Sequence, residues 1–139
     1  MAGRIGGEKT RCSGKWTEAK FRSFIKSNLR RTSMKWGPLN EARKLASTRR
    51  GFYLCSGCKE EIPASIKIDR VRKNNVHVDH IKPVVDPVVG WVSWDDTIEG
   101  MFSELPNLQV LCTACHDKKT NEERDLAKTR REQEKLNDE

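Results

Sequence analysis

With 139 residues, the chain has room for one compact domain with tails and not for two ordinary ones. Hydrophobic residues make up 35% and charged residues 34%, which leaves a small core of the kind that needs a metal or another staple. The net charge of +7 favours a polyanionic partner, nucleic acid before membrane, and no stretch is apolar for long enough to span a bilayer.

Residues 1–15 are Gly-rich and basic with little to bury, and read as a flexible arm. They lack the apolar run of a signal peptide, so the expected setting is the reducing cytoplasm, where paired cysteines serve as metal ligands and not as cystines. Cys12 is left over as a free thiol in this arm. A helical segment is expected over 16–50. Its first helix starts at Thr17, with Trp16 and Phe21 at the spacing of a hydrophobic staple and Phe21, Phe24, Ile25 and Leu29 on one face. Gly37-Pro38 breaks the chain and opens a second helix through Leu45. Arg43, Lys44, Arg49 and Arg50 read either as a solvated surface or as a phosphate-contacting patch.

The next segment, 51–125, holds most of the chemistry. Phe52-Tyr53-Leu54 leads into Cys55-Ser56-Gly57-Cys58, with Gly57 easing a tight turn. Ile66 and Ile68 against Val76 and Val78, around Lys73-Asn74-Asn75, read as a β-hairpin. Trp91, Trp94, Ile98, Met101 and Phe102 form an apolar cluster read as core, helical from Ser93, where Ser93 and Asp96 resemble a capping box. Leu108 to Leu111 is an apolar run entering Cys112-Thr113-Ala114-Cys115. A helix is expected from Thr113, with Lys118/Glu122 and Lys119/Glu123 at i,i+4 spacing. Over 126–139 it becomes polar nearly all round, so this tail should protrude or fray.

Four thiols in two Cys-x-x-Cys hooks, Cys55/Cys58 and Cys112/Cys115, are the ligand set of a tetrahedral structural zinc site and resemble a treble-clef finger. A redox role for either pair would need a thioredoxin-like βαβ pattern, which is absent. Zinc there closes a loop of about fifty residues, and the remaining chemistry lies within it or just beyond. Asp79, His80, Asn107 and His116 carry groups suited to phosphodiester hydrolysis. A neutral imidazole can take a proton from water near pH 7, and a carboxylate with a second imidazole can hold one divalent ion. His116, in the opening turn of its helix, would have free backbone N–H groups nearby to favour a phosphate. Neighbours in an extended strand point to opposite faces, so the strand must end or bend near His80. His77 shares the face of Asp79 and reads as a half-exposed strand residue before a ligand.

The string His77-Val78-Asp79-His80-Ile81-Lys82-Pro83, followed by Asn107-Leu108-Gln109-Val110-Leu111-Cys112-Thr113-Ala114-Cys115-His116-Asp117-Lys118-Lys119-Thr120, resembles the HNH endonuclease family, more narrowly its small zinc-containing bacteriophage-type members. The resemblance covers roughly 50–125. It implies an α+β fold: a ββα-metal, treble-clef-like core stapled by the four cysteines, with N-terminal helices and a long C-terminal helix. It also implies a DNA endonuclease leaving 5′-phosphate and 3′-hydroxyl ends. On these positions His80 becomes the general base, Asn107 holds the loop bearing it, and Asp79 and His116 hold a catalytic Mg²⁺ or Mn²⁺ ion. The aromatic-rich stretch from Asp86 to Leu105 departs from the family pattern, where a shorter or Gly-rich connection is expected. A monomer or weak dimer that nicks DNA is the simplest form, with phage packaging or replication proteins as further partners and a host bacterial cytoplasm if phage-encoded. The rival readings are a non-catalytic zinc-stabilised DNA-binding module and an interaction protein that docks through its polar C-terminal helix.

Overall fold

A computed structural model describes residues 7–138. The chain divides into two compact units, Met1–Lys35 and Trp36–Glu139. In the first, β1 (Lys9–Arg11) pairs antiparallel with β2 (Trp16–Thr17) and α1 (Glu18–Ser33) comes directly after. The arm expected over 1–15 is therefore a small hairpin from Lys9 onward; residues 1–6 lie outside the described residues. Its turn uses left-handed backbone at Cys12, Ser13 and Gly14, with φ of 53°, 53° and 75°. The thiol of Cys12 is exposed on this turn.

The Thr17 hydroxyl accepts a hydrogen bond from the Lys20 N–H at 3.2 Å and caps α1, the start that the sequence predicts. Glu18 in the first turn and Arg30 and Arg31 in the last complement the helix dipole. The aromatic partner of Trp16 is Phe24, at 5.1 Å between ring centroids, while the Arg11 guanidinium covers Phe21 at 4.5 Å. The expected staple is thus shifted by one turn.

The second unit opens with α2 (Gly37–Ala46), whose Pro38 sits in the first turn. The sequence grouped this helix with α1, yet it belongs to the second unit. Trp36 at its head donates from Nε1 to the Ser103 carbonyl at 2.8 Å and meets Phe102 edge to face at 5.6 Å. Three short strands come next: β3 (Ser47–Arg49), β4 (Phe52–Leu54) and β5 (Glu61–Pro63), in that order in one antiparallel sheet. Arg49 bonds Glu61 at 2.8 Å and covers the Phe52 ring at 3.8 Å, so it is already engaged by its own sheet.

A hairpin of β6 (Ser65–Ile68) and β7 (Val71–Asn74) projects from this sheet. Its turn is Asp69-Arg70, both left-handed at φ 51° and 67°, the backbone of a tight two-residue hairpin. The predicted turn at Lys73-Asn74-Asn75 is incorrect. Val76 is instead buried in the core, and Val78 lies in β8 (His77–His80), which pairs antiparallel with β9 (Leu108–Leu111). Those valines find apolar cover beneath the cysteines that Ile66 and Ile68 could not supply.

Between these strands α3 (Trp94–Met101) is capped by Ser93, whose hydroxyl accepts from the Asp96 N–H at 3.1 Å. Of the predicted aromatic cluster, Met101 is buried and Trp91 meets Trp94 edge to face at 5.4 Å, whereas Ile98 is 41% exposed and contributes little to a core. A 3-10 turn at Leu105–Asn107 feeds β9, and α4 (Thr113–Asn137) closes the chain as one helix, largely exposed over the segment expected to protrude or fray. The core is small and sits under the cysteines: Cys55, Ile62, Val76, Val110, Leu111 and Cys112, edged by Ala46, Tyr53, Val78 and Cys115. The mixture of helices and small sheets around a four-cysteine cluster is the α+β architecture that the sequence predicts.

Candidate metal and active site

The two hooks are built by different local devices. β4 delivers Cys55, and the chain then turns back on itself: the Cys55 carbonyl accepts from Lys59 N–H at 2.9 Å and its N–H donates to the Glu60 carbonyl at 3.0 Å. The left-handed residue in this turn is Lys59, at φ 63°. Gly57 is needed for another reason than the one expected: a Cβ there would stand 2.9 Å from both Cβ and Sγ of Cys115. The second hook runs from β9 into α4, with Cys112 as the N-terminal cap residue. Ser56 N–H donates to the Val110 carbonyl at 2.8 Å and Cys112 N–H to Cys55 Sγ at 3.3 Å, lacing the hooks together.

The four sulfurs lie within 4.8 Å of one another. Four thiolates about 2.3 Å from one zinc ion stand about 3.8 Å apart, so the set fits zinc after a small contraction. The electrostatics of the four thiols suits a bound cation. Burial pushes the Cys55 thiol up, but backbone N–H groups of Cys112, Cys58 and Gly57 more than offset it and bring it down to about 6. Cys115 is pushed up to about 12, by its hydrogen bond to the Cys112 sulfur first, then burial and the Cys55 sulfur. The Cys55 thiolate forms readily here while Cys58 and Cys115 resist; a divalent cation removes that conflict. With all four positions taken by protein, such an ion would be structural.

The predicted catalytic residues surround the β8–β9 ribbon. In register, His77 faces Leu111, Val78 faces Val110, Asp79 faces Gln109 and His80 faces Leu108. His77 and Asp79 contact α4. The His77 ring stacks on that of His116, with centroids 4.6 Å apart and planes 16° from parallel, and its Nε2 meets Thr113 Oγ1 at 3.1 Å. Asp79 Oδ2 accepts from Gln109 Nε2 at 3.1 Å and pairs with Lys119 Nζ at 2.9 Å. His116 and Lys119, three residues apart, present the same face of α4 to the strand. Burial, and then the His116 ring, hold His77 below the usual histidine range, with Asp117 opposing.

His80 points the other way. Its Nε2 lies 3.0 Å from the Met101 carbonyl at the end of α3. A carbonyl only accepts, so Nε2 must carry a proton and Nδ1 is the ring's acceptor in the neutral form. Alternation along the strand thus separates the Asp79 and His80 side chains, and β8 ends at His80. The chain beyond is pinned by Asn107, whose carbonyl accepts from Ile81 N–H at 2.8 Å and whose Oδ1 accepts from Lys82 N–H at 2.8 Å. Asn107 Nδ2 donates in turn to Ser103 Oγ at 3.0 Å and to the Lys82 carbonyl at 3.3 Å.

Two residues at this site escaped the sequence reading. Lys119 donates to the His80 carbonyl at 2.8 Å and pairs with both Asp79 and Glu123, so one ammonium ties α4 to both residues at the end of β8. Burial draws its pKa down, but the bonds to Glu123 and Asp79 more than compensate and it lies above the usual lysine range. The i,i+4 spacing identified Lys119 only as a partner of Glu123. Asn75 is the other: its Oδ1 accepts from Thr113 N–H at 3.1 Å and caps α4, while its Nδ2 donates to the Pro63 carbonyl at 3.1 Å. The anion site expected at the start of α4 is correspondingly reduced, because Thr113 N–H is taken by Asn75 and His116 N–H by the Cys112 carbonyl at 2.9 Å. Among the described residues, the four cysteines are the group of three or more His, Cys, Asp or Glu ligands gathered around one point. Asp79 and His116 belong to no such group among the described residues.

Residues 55–122 match the family model described as HNH endonuclease. The span begins at the first zinc-hook cysteine and ends within α4, and it encloses the β8–β9 ribbon and every predicted site residue. This part of the chain is an HNH endonuclease domain. No curated protein and no solved structure matches the chain. Among the described residues no helix is long and apolar enough to cross a membrane.

Proposed function

We propose that the protein is a metal-dependent DNA endonuclease that hydrolyses one phosphodiester bond at a time, leaving 5′-phosphate and 3′-hydroxyl ends. The observation that carries the reading is the ribbon end within the family span: a tautomer-fixed His80 on one side of β8, with Asp79 and the His77–His116 stack on the other. His80 is the general base. Its Nε2–H is held by the Met101 carbonyl, so Nδ1 is the atom that takes the proton from water. Asp79 and His116 are the protein ligands of one Mg²⁺ or Mn²⁺ ion, which when bound neutralises the phosphate and stabilises the leaving oxygen. β8 ends at His80, which is the condition under which Asp79 and His80 can flank one phosphate at the tip of the strand. In an in-line displacement, water is activated on one side of the phosphorus and the leaving oxygen is stabilised on the other.

Asn107 is a positioning residue, since its four bonds to residues 81, 82 and 103 hold the chain immediately after the base. Cys55, Cys58, Cys112 and Cys115 would hold zinc, which would keep β9 and the start of α4 in place beside β8. One catalytic ion serves one strand, so a monomer nicks and a double-strand break needs two events or a weak dimer. The expected setting is the cytoplasm, that of a bacterial host if the gene is phage-borne, with packaging or replication proteins as partners.

The test is conversion of supercoiled plasmid to open circles by the full chain, with added Mg²⁺ or Mn²⁺ and without. His80→Ala is run beside it, with zinc content and DNA affinity measured on both. Nicking that needs the added ion and falls by at least about 100-fold in the variant, at unchanged zinc and DNA binding, is the expected result. Full activity in His80→Ala removes the base assignment. Tight DNA binding with no nicking under any ion selects the non-catalytic binding module instead.

A further inference from the structure

The positive charge of this protein is not spread over it. Residues 1–35 hold ten Lys and Arg against two Glu, whereas residues 36–139 hold 17 Lys and Arg against 18 Asp and Glu. The unit carrying the nuclease motif is close to neutral, and the whole excess lies in the other unit. A nuclease whose catalytic unit carries no net positive charge needs its attraction for a polyanion from elsewhere.

Within α1 the charge is ordered. Arg22, Lys26 and Arg30 recur every four residues, which aligns them on one face over about 12 Å of helix. Ser23 and Ser27 lie beside them, and Ser23, Lys26, Ser27 and Arg30 line a shallow groove of about 220 Å³. Of the two acidic residues in this unit, Glu18 begins the same row, and its carboxylate is already held by Arg11 at 2.7 Å and Thr10 at 3.0 Å. Burial, and then the charges of Arg30 and Arg22, hold Lys26 below the usual lysine range. A row of cations that repel one another is a surface that a row of anions relieves, and serine hydroxyls add neutral donors to phosphate oxygens.

We propose that the Arg22–Lys26–Arg30 face of α1, with Ser23 and Ser27, is a rail for the phosphate backbone of duplex DNA and the main source of the protein's electrostatic grip. The proposal rests on the reading that the substrate is DNA. It assigns unit 1 the holding of the duplex, irrespective of base sequence, and leaves the chemistry to unit 2. Backbone contacts of this kind position a protein on DNA and carry no sequence information directly.

The experiment is fluorescence anisotropy of the full-length protein on a labelled 20-base-pair duplex, without added divalent ion, across a series of salt concentrations. The triple variant Arg22→Gln, Lys26→Gln, Arg30→Gln is compared with Lys67→Gln, Arg72→Gln, Lys73→Gln on the exposed β6–β7 hairpin, which removes the same charge. Glutamine keeps the helix propensity of α1, and melting curves check folding. Three lost phosphate contacts make the log–log salt slope shallower by about 2.7 and weaken binding on the order of 100-fold at 0.15 M salt; the hairpin variant should lose much less. Equal losses in the two variants mean a diffuse charge effect and overturn the rail, as does wild-type slope in the α1 variant. Failure of the wild type to bind the duplex, or stronger binding to phosphatidylserine vesicles than to DNA, also overturns it. No divalent ion or cleavage enters this readout. A rail-dependent slope in a protein that never nicks plasmid therefore sinks the endonuclease reading alone, and nicking with no rail dependence sinks the rail alone.

Discussion

Gly57→Ala isolates the role of the zinc hook in holding the nuclease unit together. The added Cβ would lie 2.9 Å from Cys115 Cβ, 2.9 Å from Cys115 Sγ and 3.3 Å from Leu111 Cδ2. Carbon atoms rest at about 3.5–4.0 Å, so Cys115 or the Gly57 backbone must move by about 0.6 Å or more. Cys115 cannot do so freely, because zinc–ligand distances tolerate about 0.2 Å. The strain therefore falls on the metal site or on the turn, at the overpacking cost of about 1–3 kcal/mol. For a unit of about 100 residues that lowers the melting midpoint by roughly 4–15 °C. The same loss, expressed in zinc affinity, is a factor of about 5 to 150. Two assays read it: thermal unfolding of the zinc-loaded protein, and zinc release to a chromophoric chelator. Gly37→Ala is the control, because a Cβ at Gly37 meets nothing within 4 Å and α2 gains a better helix former. Wild-type melting and wild-type zinc release in Gly57→Ala would mean that the hooks are not packed around a metal in this way.

Two further substitutions test how α4 is held against the ribbon. Lys119→Met removes the ammonium shared by Asp79, Glu123 and the His80 carbonyl, whose side chain is 23% exposed against 16% for Asp79. Breaking this partly buried pair should cost about 1–2 kcal/mol in the absence of divalent ions. Added Mn²⁺ should restore more of the variant's melting midpoint than it adds to the wild type, because a cation then answers the Asp79 carboxylate; no Mn²⁺-dependent difference would remove Asp79 as an ion ligand. Asn75→Ala deletes the cap on Thr113 and the bond to the Pro63 carbonyl at a buried position. Unfolding should become easier by about 2 kcal/mol, and a denaturation midpoint equal to that of the wild type would refute the capping role.

The elements that the sequence revealed are those written in local chemistry. Thr17 and Ser93 cap α1 and α3 at the predicted residues because a hydroxyl beside an N–H three residues on is a short-range decision. The zinc hooks were legible for a similar reason, since Cys-x-x-Cys spacing is itself the geometry of one edge of a tetrahedron. What stayed hidden depended on partners far along the chain. Val76 and Val78 alternate as well for the predicted hairpin as for the ribbon with Val110, and only the core under the cysteines decides between them. The two positive-φ residues that make the real turn, Asp69 and Arg70, lack the Gly or Asn that would announce it. Lys119 looked like one half of an i,i+4 pair; that it also grips Asp79 and the His80 carbonyl requires α4 to cross β8 at one particular place.

That crossing explains why the cysteine hooks and the proposed hydrolytic residues occur in one short domain. Cys112 ends β9 and caps α4, so the residue that binds the staple also sets where the helix begins. His116 comes one turn later and Lys119 nearly one turn after that, and both reach β8 only because the helix starts where it does. Apart from the Asn75 cap on Thr113, what fixes that starting point is the small core in which Cys55 and Cys112 are packed. A zinc ion on the four cysteines would be remote from the proposed chemistry in role but not in consequence. Its loss would free the start of α4, and with it the spacing between Asp79 and His116, before the His80–Asn107 side of the ribbon felt any change.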